Sequence, residues 1–435
     1  VTSSALYTDH YELTMVEAAM QAGTASRRSI FELFPRRLPT GRRYGVVAGV
    51  GRAMEALEHF RFRDEELAFL REEQIVSAEV LDWLADYRFT GSIWGYPEGE
   101  LYFPGSPLMV VEGGFAEACV LETVMLSIYN YDSAVASAGS RMTLMAGDRP
   151  CIEMGARRMH EEAAVAAARA AYIAGFASTS NLEAGRRHGI PTAGTAAHSF
   201  TLLHETEREA FEAQLRTQGK GTTLLVDTYS ISDAVRTAVE LAGPELGAVR
   251  IDSGDLAITA REVREQLDAL GATKTRILVT SDLDEWQIGA LAAAPVDGYG
   301  VGTNLVIGSG HPTCGFVYKL VARALTDGPD AELLPVAKTS ANKSTRGGRK
   351  YAVRRLDERG IAEAEVVGVG SRPESDHNDR PLLVELVTDG KVLAGEDLEA
   401  ARRRHWDSLA ELPRAARKMS QGDPVIPTLY ESDYE

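Results

Sequence analysis

The apolar and polar positions of this chain fall into three textures. In the first, Glu65 to Tyr87 places Leu67, Leu70, Val80, Leu81 and Leu84 at helical spacing, and Gly91 to Val111 alternates like short strands broken by Pro and Gly. That mixture predicts an α+β region. From Cys151 a regular beat begins, in which an apolar run of strand length ends in a small polar cluster and leads into an Ala/Leu-rich helix. The predicted strands are 151–155, 176–180, 192–196, 223–226, 248–251, 276–280 and 296–302. The predicted helices between them are 160–174, 181–188, 205–216, 232–242, 256–270 and 285–293.

Repeated strand-helix units require parallel strands, because a helical crossover returns the chain to the same edge of the sheet. About seven such units predict an irregular α/β barrel, with a doubly wound open sheet as the rival. After Leu325 the beat is lost. A basic turn from Lys338 to Lys350 separates strand-like 333–337 from 351–355, and the chain reads as returning to its first domain. This predicts an N-terminal α+β domain over 1–115, a barrel over 116–325, and a C-terminal return over 326–435. The basic turn has two readings: a solvated loop, or a loop closing over phosphates.

Charge and cysteine usage narrow the function classes. Among 435 residues, 46 Lys+Arg face 63 Asp+Glu, a net charge of −17. Such a balance argues against a nucleic-acid binder, which needs cations spread over many phosphates. The apolar stretch from Pro107 to Tyr129 is interrupted by Glu112, Glu117 and Glu122, so no membrane span is expected. Nor does the N-terminal segment read as a secretory signal. Cys119, Cys151 and Cys314 are an odd count at long spacing, which predicts neither a disulfide framework nor a zinc site and favours the cytosol.

In a parallel barrel, the residues just after each strand carry the chemistry. Those ends offer Glu153 and Arg157, Ser180 and Asn181, Thr195 and His198, Asp227 and Tyr229, Arg250, Asp252, Ser253 and Asp255, then Ser281, Asp282, Asp284, Gly302 and Thr303. Many Ser and Asp at such places are helix N-caps. Capping does not account for Arg157, Arg250 or His198, since the positive end of a helix dipole repels a cation. The Arg250-Ile-Asp-Ser-Gly-Asp255 loop puts a guanidinium two residues from a carboxylate, with Gly254 permitting a tight turn, which suits a phosphorylated sugar with Mg²⁺. His198 follows small residues that leave its imidazole room to meet a ligand.

With these residues set out, the chain resembles the nicotinate phosphoribosyltransferases. The opening Tyr7-Thr-Asp-His-Tyr-Glu-Leu-Thr-Met15 is similar to the family's TDxYxLxM segment. Glu153-Met-Gly-Ala-Arg-Arg158, Thr179-Ser-Asn181, Gly194-Thr-Ala-Ala-His198, Val226-Asp-Thr-Tyr229, Arg250 to Asp255, Thr280-Ser-Asp282 and Gly300-Val-Gly-Thr303 follow its motifs in order.

The resemblance implies a type II phosphoribosyltransferase fold and a homodimer with shared active sites. It implies nicotinate and 5-phosphoribosyl 1-pyrophosphate as substrates, ATP as co-substrate, Mg²⁺, and a ligase-type coupling in NAD salvage. By the same resemblance, His198 is the histidine that ATP phosphorylates, and Asp227 and Asp252 organise Mg²⁺. Asp9, Tyr11, Arg157, Ser180, Asn181, Thr195, Arg250, Ser253, Asp282, Gly302 and Thr303 contact substrates, with Tyr11 lent to the pyridine site of the other subunit. Met154 stands where relatives carry an aromatic. An uncharged Ser180 and Asn181 spare a nicotinate carboxylate the like-charge clash of the acidic residue found in nicotinamide users. The rivals are a nicotinamide or quinolinate phosphoribosyltransferase, a sugar-phosphate barrel enzyme, and a non-catalytic nucleotide-binding protein.

Overall fold

The structure is a computed structural model that describes residues 3–326, 328, 331–338 and 346–432. It divides into two compact units, Val1–Ala134 with Thr313–Glu435, and Val135–Pro312.

Among the described residues, the second unit is built on one six-stranded sheet whose pairings are all parallel. Its spatial order is Ser178–Thr179, Cys151–Glu153, Gly298–Val301, Arg276–Val279, Ala248–Ile251, Thr223–Leu225. The sheet curls into a half-barrel, as the strand-helix beat predicts. Helices Glu161–Ile173, Leu182–His188, Glu207–Gln218, Ile231–Ala242, Leu256–Ala269 and Glu285–Ala290 occupy the predicted intervals. Their starts follow from local chemistry. Asn181, Thr206, Ser230, Asp255 and Asp284 each accept a first-turn N–H. Their apolar stripes face inward: Ile231–Ala242 buries Ala234, Val235, Ala238, Val239 and Ala242, the spacing of one helical face.

One predicted strand is corrected. Of 192–196, only Thr192 pairs, through a single bridge to Thr179. Pro191 has no N–H to donate and Gly194 carries no side chain to pack, so this segment runs as irregular chain toward His198.

The first unit contains three sheets among the described residues, the smallest a two-stranded pair of Gly45–Val46 with Leu101–Tyr102. Strand Arg28–Pro35 pairs antiparallel with Phe316–Ala324 on one side and Met109–Gly114 on the other. Ser92–Gly95 and Val384–Thr388 extend this sheet, and Lys350–Leu356 and Ala362–Val369 centre the four-stranded one. The boundaries expected at 115 and 325 therefore move to 134 and 312. The physical reason is pairing and burial: Phe316–Ala324 lies in the antiparallel ladder, and Val124, Met125, Ile128, Tyr129 and Ala134 belong to the first unit's core. Part of the basic turn, 339–345, lies outside the described residues. At its far end Lys350 is buried, with Nζ 2.7 Å from Glu32 Oε2.

No helix among the described residues is long and apolar enough to cross a membrane. All three cysteines are free and buried, and burial pushes the Cys119 and Cys151 thiols up to about 12.

Candidate active site

Parallel strands bring their carboxyl ends to one rim, and here the ladder continues one residue beyond several of them. Val226 N donates to Arg250 O at 3.1 Å, Thr280 N to Ile251 O at 2.9 Å, and Met154 N to Val301 O at 2.8 Å. The following side chains are thus held at a common height by backbone bonds. Gly300 makes the rim possible, since a Cβ there would stand 2.4 Å from Thr280 Cγ2 and 2.7 Å from Met154 Sδ. Only a residue without a side chain lets those two neighbours converge.

The charged groups form a connected array. Arg250 donates through Nε to Thr280 Oγ1 and through Nη1 to Thr195 Oγ1, both at 3.1 Å. Its Nη2 is 3.4 Å from Asp252 Oδ1, which also accepts from the Thr280 hydroxyl. Asp227 Oδ2 accepts from Asp252 N at 2.9 Å and from Ser253 Oγ at 2.6 Å. His198 Nδ1 lies 3.2 Å from Thr228 Oγ1, leaving Nε2 3.9 Å from Asp227 Oδ1 and 3.8 Å from Asp252 Oδ2. Those last separations are ion-pair distances, too long for hydrogen bonds. Two carboxylates therefore converge on one imidazole without closing on it.

The local field is strongly negative around Asp227. Burial, then the charges of Asp227 and Asp233, push the nearby Glu207 up to about 7. Asp227 Oδ1 is buried and has no hydrogen-bond partner among the described residues. An unsatisfied carboxylate oxygen facing a second carboxylate suits a divalent cation. The described residues hold no cluster of three or more His, Cys, Asp or Glu able to bind a metal alone. Mg²⁺ fits this arrangement, because it is commonly held by one or two carboxylates together with substrate phosphates.

Beside the array opens a cleft of about 250 Å³, lined by Met154, Arg157, Arg158, Arg250, Asp252, Thr280, Ser281, Asp282, Gly300, Gly302 and Thr303. Three arginines among its lining residues suit it to an anion. The turn at Ser281 and Asp282, which also lines it, is strained, with φ of 113° and 39°. Asn304 Nδ2 secures that turn by donating to Asp282 O at 2.7 Å. Non-glycine residues in that region cost about 1–3 kcal/mol each and collect at ligand clamps.

The structure thus assembles His198, Asp227, Asp252, Thr195, Arg250 and Ser253 directly, and sets Arg157, Asp282, Gly302 and Thr303 in the adjoining cleft. Other candidates are placed differently. Asn181 uses Oδ1 to cap helix Leu182–His188. The exposed Ser180, whose N–H donates to Glu153 O at 2.8 Å, stands at the same rim but not in the cleft wall. Asp9 and Tyr11 belong to the first unit, at the start of helix His10–Gln21; Tyr11 is 44% exposed, and burial followed by the Glu122 and Glu12 charges raises its phenol. Gly300 lies within strand Gly298–Val301, inside the predicted strand 296–302.

Thr228, Thr280 and Arg158 are functional neighbours that the sequence reading did not single out. Each sits one or two positions from a residue it did select, so adjacency along the strand end was the available signal. What sequence spacing lacks is the cross-strand partner, such as the Thr280 hydroxyl that bridges Arg250 and Asp252.

Comparison with known proteins identifies the family. Residues 6–130 match the family model of the nicotinate phosphoribosyltransferase (NAPRTase) N-terminal domain. A nicotinate phosphoribosyltransferase of Mycobacterium tuberculosis, pncB1, is 53% identical over 434 residues, covering 97% of this chain and 94% of that protein. The Bacillus subtilis nicotinate phosphoribosyltransferase is 39% identical over 82% of this chain and 74% of its own. The crystal structure of human nicotinic acid phosphoribosyltransferase superposes with a TM-score of 0.83 at 26% identity, covering 98% of this chain and 97% of that one. On the near-complete alignment with such relatives, the chain belongs to the nicotinate phosphoribosyltransferase family.

Proposed function

We propose that this chain forms nicotinate mononucleotide and pyrophosphate from nicotinate and 5-phosphoribosyl 1-pyrophosphate in NAD salvage, with ATP hydrolysis coupled through phosphorylation of His198. The observation that carries the reading is the meeting of His198, Asp227, Asp252 and Arg250 beside an arginine-lined cleft. The pyridine nitrogen donates its lone pair to the anomeric carbon. The carbon–oxygen bond to pyrophosphate breaks, and its electron pair leaves with the pyrophosphate, so no proton has to move. Positive charge grows on the ribose and negative charge on the leaving group.

Arg250, fixed by Thr195 and Thr280, is preorganised to receive that negative charge, and Asp252 faces the cationic ribose. Asp227 and Asp252 would hold Mg²⁺, which when bound neutralises phosphate oxygens that the two carboxylates would otherwise repel. For phosphorylation, the tautomer in which His198 Nδ1–H donates to Thr228 Oγ1, 3.2 Å away, leaves the Nε2 lone pair to attack the terminal phosphorus of ATP, with ADP departing. Arg157 and Arg158 supply cations for the nicotinate carboxylate or the 5-phosphate. Met154 offers the pyridine a thioether wall.

A homodimer with Tyr11 lent across the interface is supported by the exposed apolar group Leu6, Tyr7, Tyr11 and Met15. Three buried free thiols suit a reducing, cytosolic setting.

The deciding experiment incubates the protein with nicotinate, the ribosyl donor, Mg²⁺ and ATP, assaying nicotinate mononucleotide and acid-labile phosphate on histidine. Saturation with nicotinamide or quinolinate and no use of nicotinate overturns the substrate. ATP hydrolysis that persists in His198→Asn overturns the phosphohistidine.

A further inference from the structure

The first unit holds a separate cavity of about 290 Å³, lined from its two larger sheets by Trp94 on one and Tyr351 on the other. Its electrostatics are unbalanced. The Arg349 guanidinium lies 4.4 Å from the Trp94 ring centroid and 4.5 Å from that of Tyr351. Stacking on two rings fixes its plane in advance. The carboxylate nearest to it, Glu112, is 3.7 Å away and already accepts from Arg28 Nε at 2.9 Å. Arg349 makes no side-chain hydrogen bond among the described residues. Arg372, 5.9 Å from the Tyr351 ring, makes neither an ion pair nor a side-chain hydrogen bond among them.

The single carboxylate in the lining, Asp379, does not offset these cations. It is engaged by Arg355 through Nε and Nη2, each at 3.1 Å. Burial works against its charge, but the Arg355 bonds win and hold the carboxyl below its ordinary range, so it remains an anion committed to Arg355. Pro373, Pro381 and Leu383 complete an apolar wall. The cavity thus offers the Arg349 and Arg372 guanidinium groups, against one lining carboxylate already bound by Arg355, beside flat aromatic and apolar surface. Small-molecule sites occupy about 300–1,000 Å³, so this volume matches the lower end, a mononucleotide or smaller rather than a dinucleotide.

We propose that this cavity is a second, non-catalytic site for a planar aromatic anion of mononucleotide size or less, its phosphate or carboxylate taken by Arg349 and Arg372 and its ring laid against Tyr351 and the proline wall. The inference rests on this cavity alone and does not require the catalytic reading.

The test is equilibrium dialysis of labelled AMP against the full chain carrying Arg250→Gln, which weakens the catalytic cleft. One AMP site is expected to remain. Adding Arg372→Glu, an exposed position, is expected to weaken it at least tenfold, and Arg349→Gln likewise, while Arg372→Glu alone leaves nicotinate turnover unchanged. Adenosine, lacking the anion, is expected to bind at least tenfold more weakly than AMP. Competition by nicotinate as strong as by unlabelled AMP identifies a carboxylate ligand; weaker competition identifies a phosphate one. Binding indifferent to Arg372→Glu, inorganic phosphate competing as well as AMP, or no site for either AMP or nicotinate in the millimolar range overturns the proposal. Failure of the catalytic reading is visible separately, as absent turnover in the unsubstituted chain.

Discussion

Two clusters of arginine and carboxylate in this molecule use the same residue types to opposite ends. In the first unit Arg354, fully buried, donates through Nη2 to Glu365 at 3.1 Å and to Leu101 O at 2.8 Å. Glu100 is bound by Arg380 at 2.7 Å and by Ser408 at 2.9 Å, and Tyr96 and Ser106 both donate to Glu365. Burial raises Glu100, yet Arg354 and Arg380 outweigh it and hold this carboxyl below its ordinary range. Glu365 is raised, burial outweighing Arg354.

At the rim of the second unit one oxygen of each carboxylate is held closely, Asp227 Oδ2 by Ser253 Oγ at 2.6 Å and Asp252 Oδ1 by the Thr280 hydroxyl, but the imidazole is not. His198 stands 3.8 and 3.9 Å from its carboxylates, and Asp227 Oδ1 has no hydrogen-bond partner among the described residues. A cluster whose carboxylates are held by short contacts from several sides resists removal of any member. A cluster that leaves a carboxylate oxygen without a donor beside an imidazole keeps capacity for a ligand, which is the arrangement that electrostatic catalysis needs.

The sharpest break in this contrast is Arg354→Met, expected to destabilise the fold by about 3–5 kcal/mol because Glu365 is left buried with its cation gone. Urea unfolding measures it, and Glu365→Leu added to it is expected to restore part of the loss. Asp252→Asn should do the reverse, cutting nicotinate mononucleotide formation about 10²–10³-fold while folding free energy stays within about 0.5 kcal/mol. An Asp252→Asn chain that unfolds as easily as Arg354→Met would make the rim array structural and erase the distinction.

Glu12 supplies an intermediate case, a buried carboxyl held by hydroxyls and amides without a cation. Burial raises it to about 7, against the lowering effect of Thr123 and Thr8. Between the ordinary carboxyl value and about 7 the folded state binds the proton and the unfolded state does not. Stability from this group is therefore full at low pH, falls as pH rises through that window, and levels off above it. Glu12→Gln is expected to flatten that fall, gaining on the unsubstituted chain by about 2–3 kcal/mol between pH 4.5 and 8, read from urea midpoints.

The smallest effect expected is at the strained turn. Ser281→Gly should relieve the positive φ and stabilise the fold by up to about 1 kcal/mol, with weaker donor binding as the looser turn loses its preset shape. Calorimetric melting and a Michaelis constant for the ribosyl donor together check it; a destabilised variant would show that the turn carries no strain.

The beat of apolar runs and Ala-rich helices was enough to determine parallel strands with their ends on one rim, because a crossover helix forces strand direction; that the sheet curls into a half-barrel rather than staying open was settled by the structure. It also marked Arg157, Arg250 and His198, since a cation or imidazole at such an end has no capping role, whereas Asp227 and Asp252 were singled out by the family resemblance. Three other things were decided only in three dimensions. Segment 192–196 falls where the strand-helix beat expects a strand, yet it joins the sheet through Thr192 alone. Phe316–Ala324 belongs to the first unit because its partner, Arg28–Pro35, lies almost 300 residues earlier, a pairing that periodicity cannot encode. Which polar residue caps a helix and which reaches a ligand was likewise settled by orientation: Asn181 and Asp255 turn back to their helices, while Asp252, three residues before Asp255, faces Arg250 and His198. Sequence spacing sets where along a strand end a side chain emerges; only the packed neighbours determine what it meets.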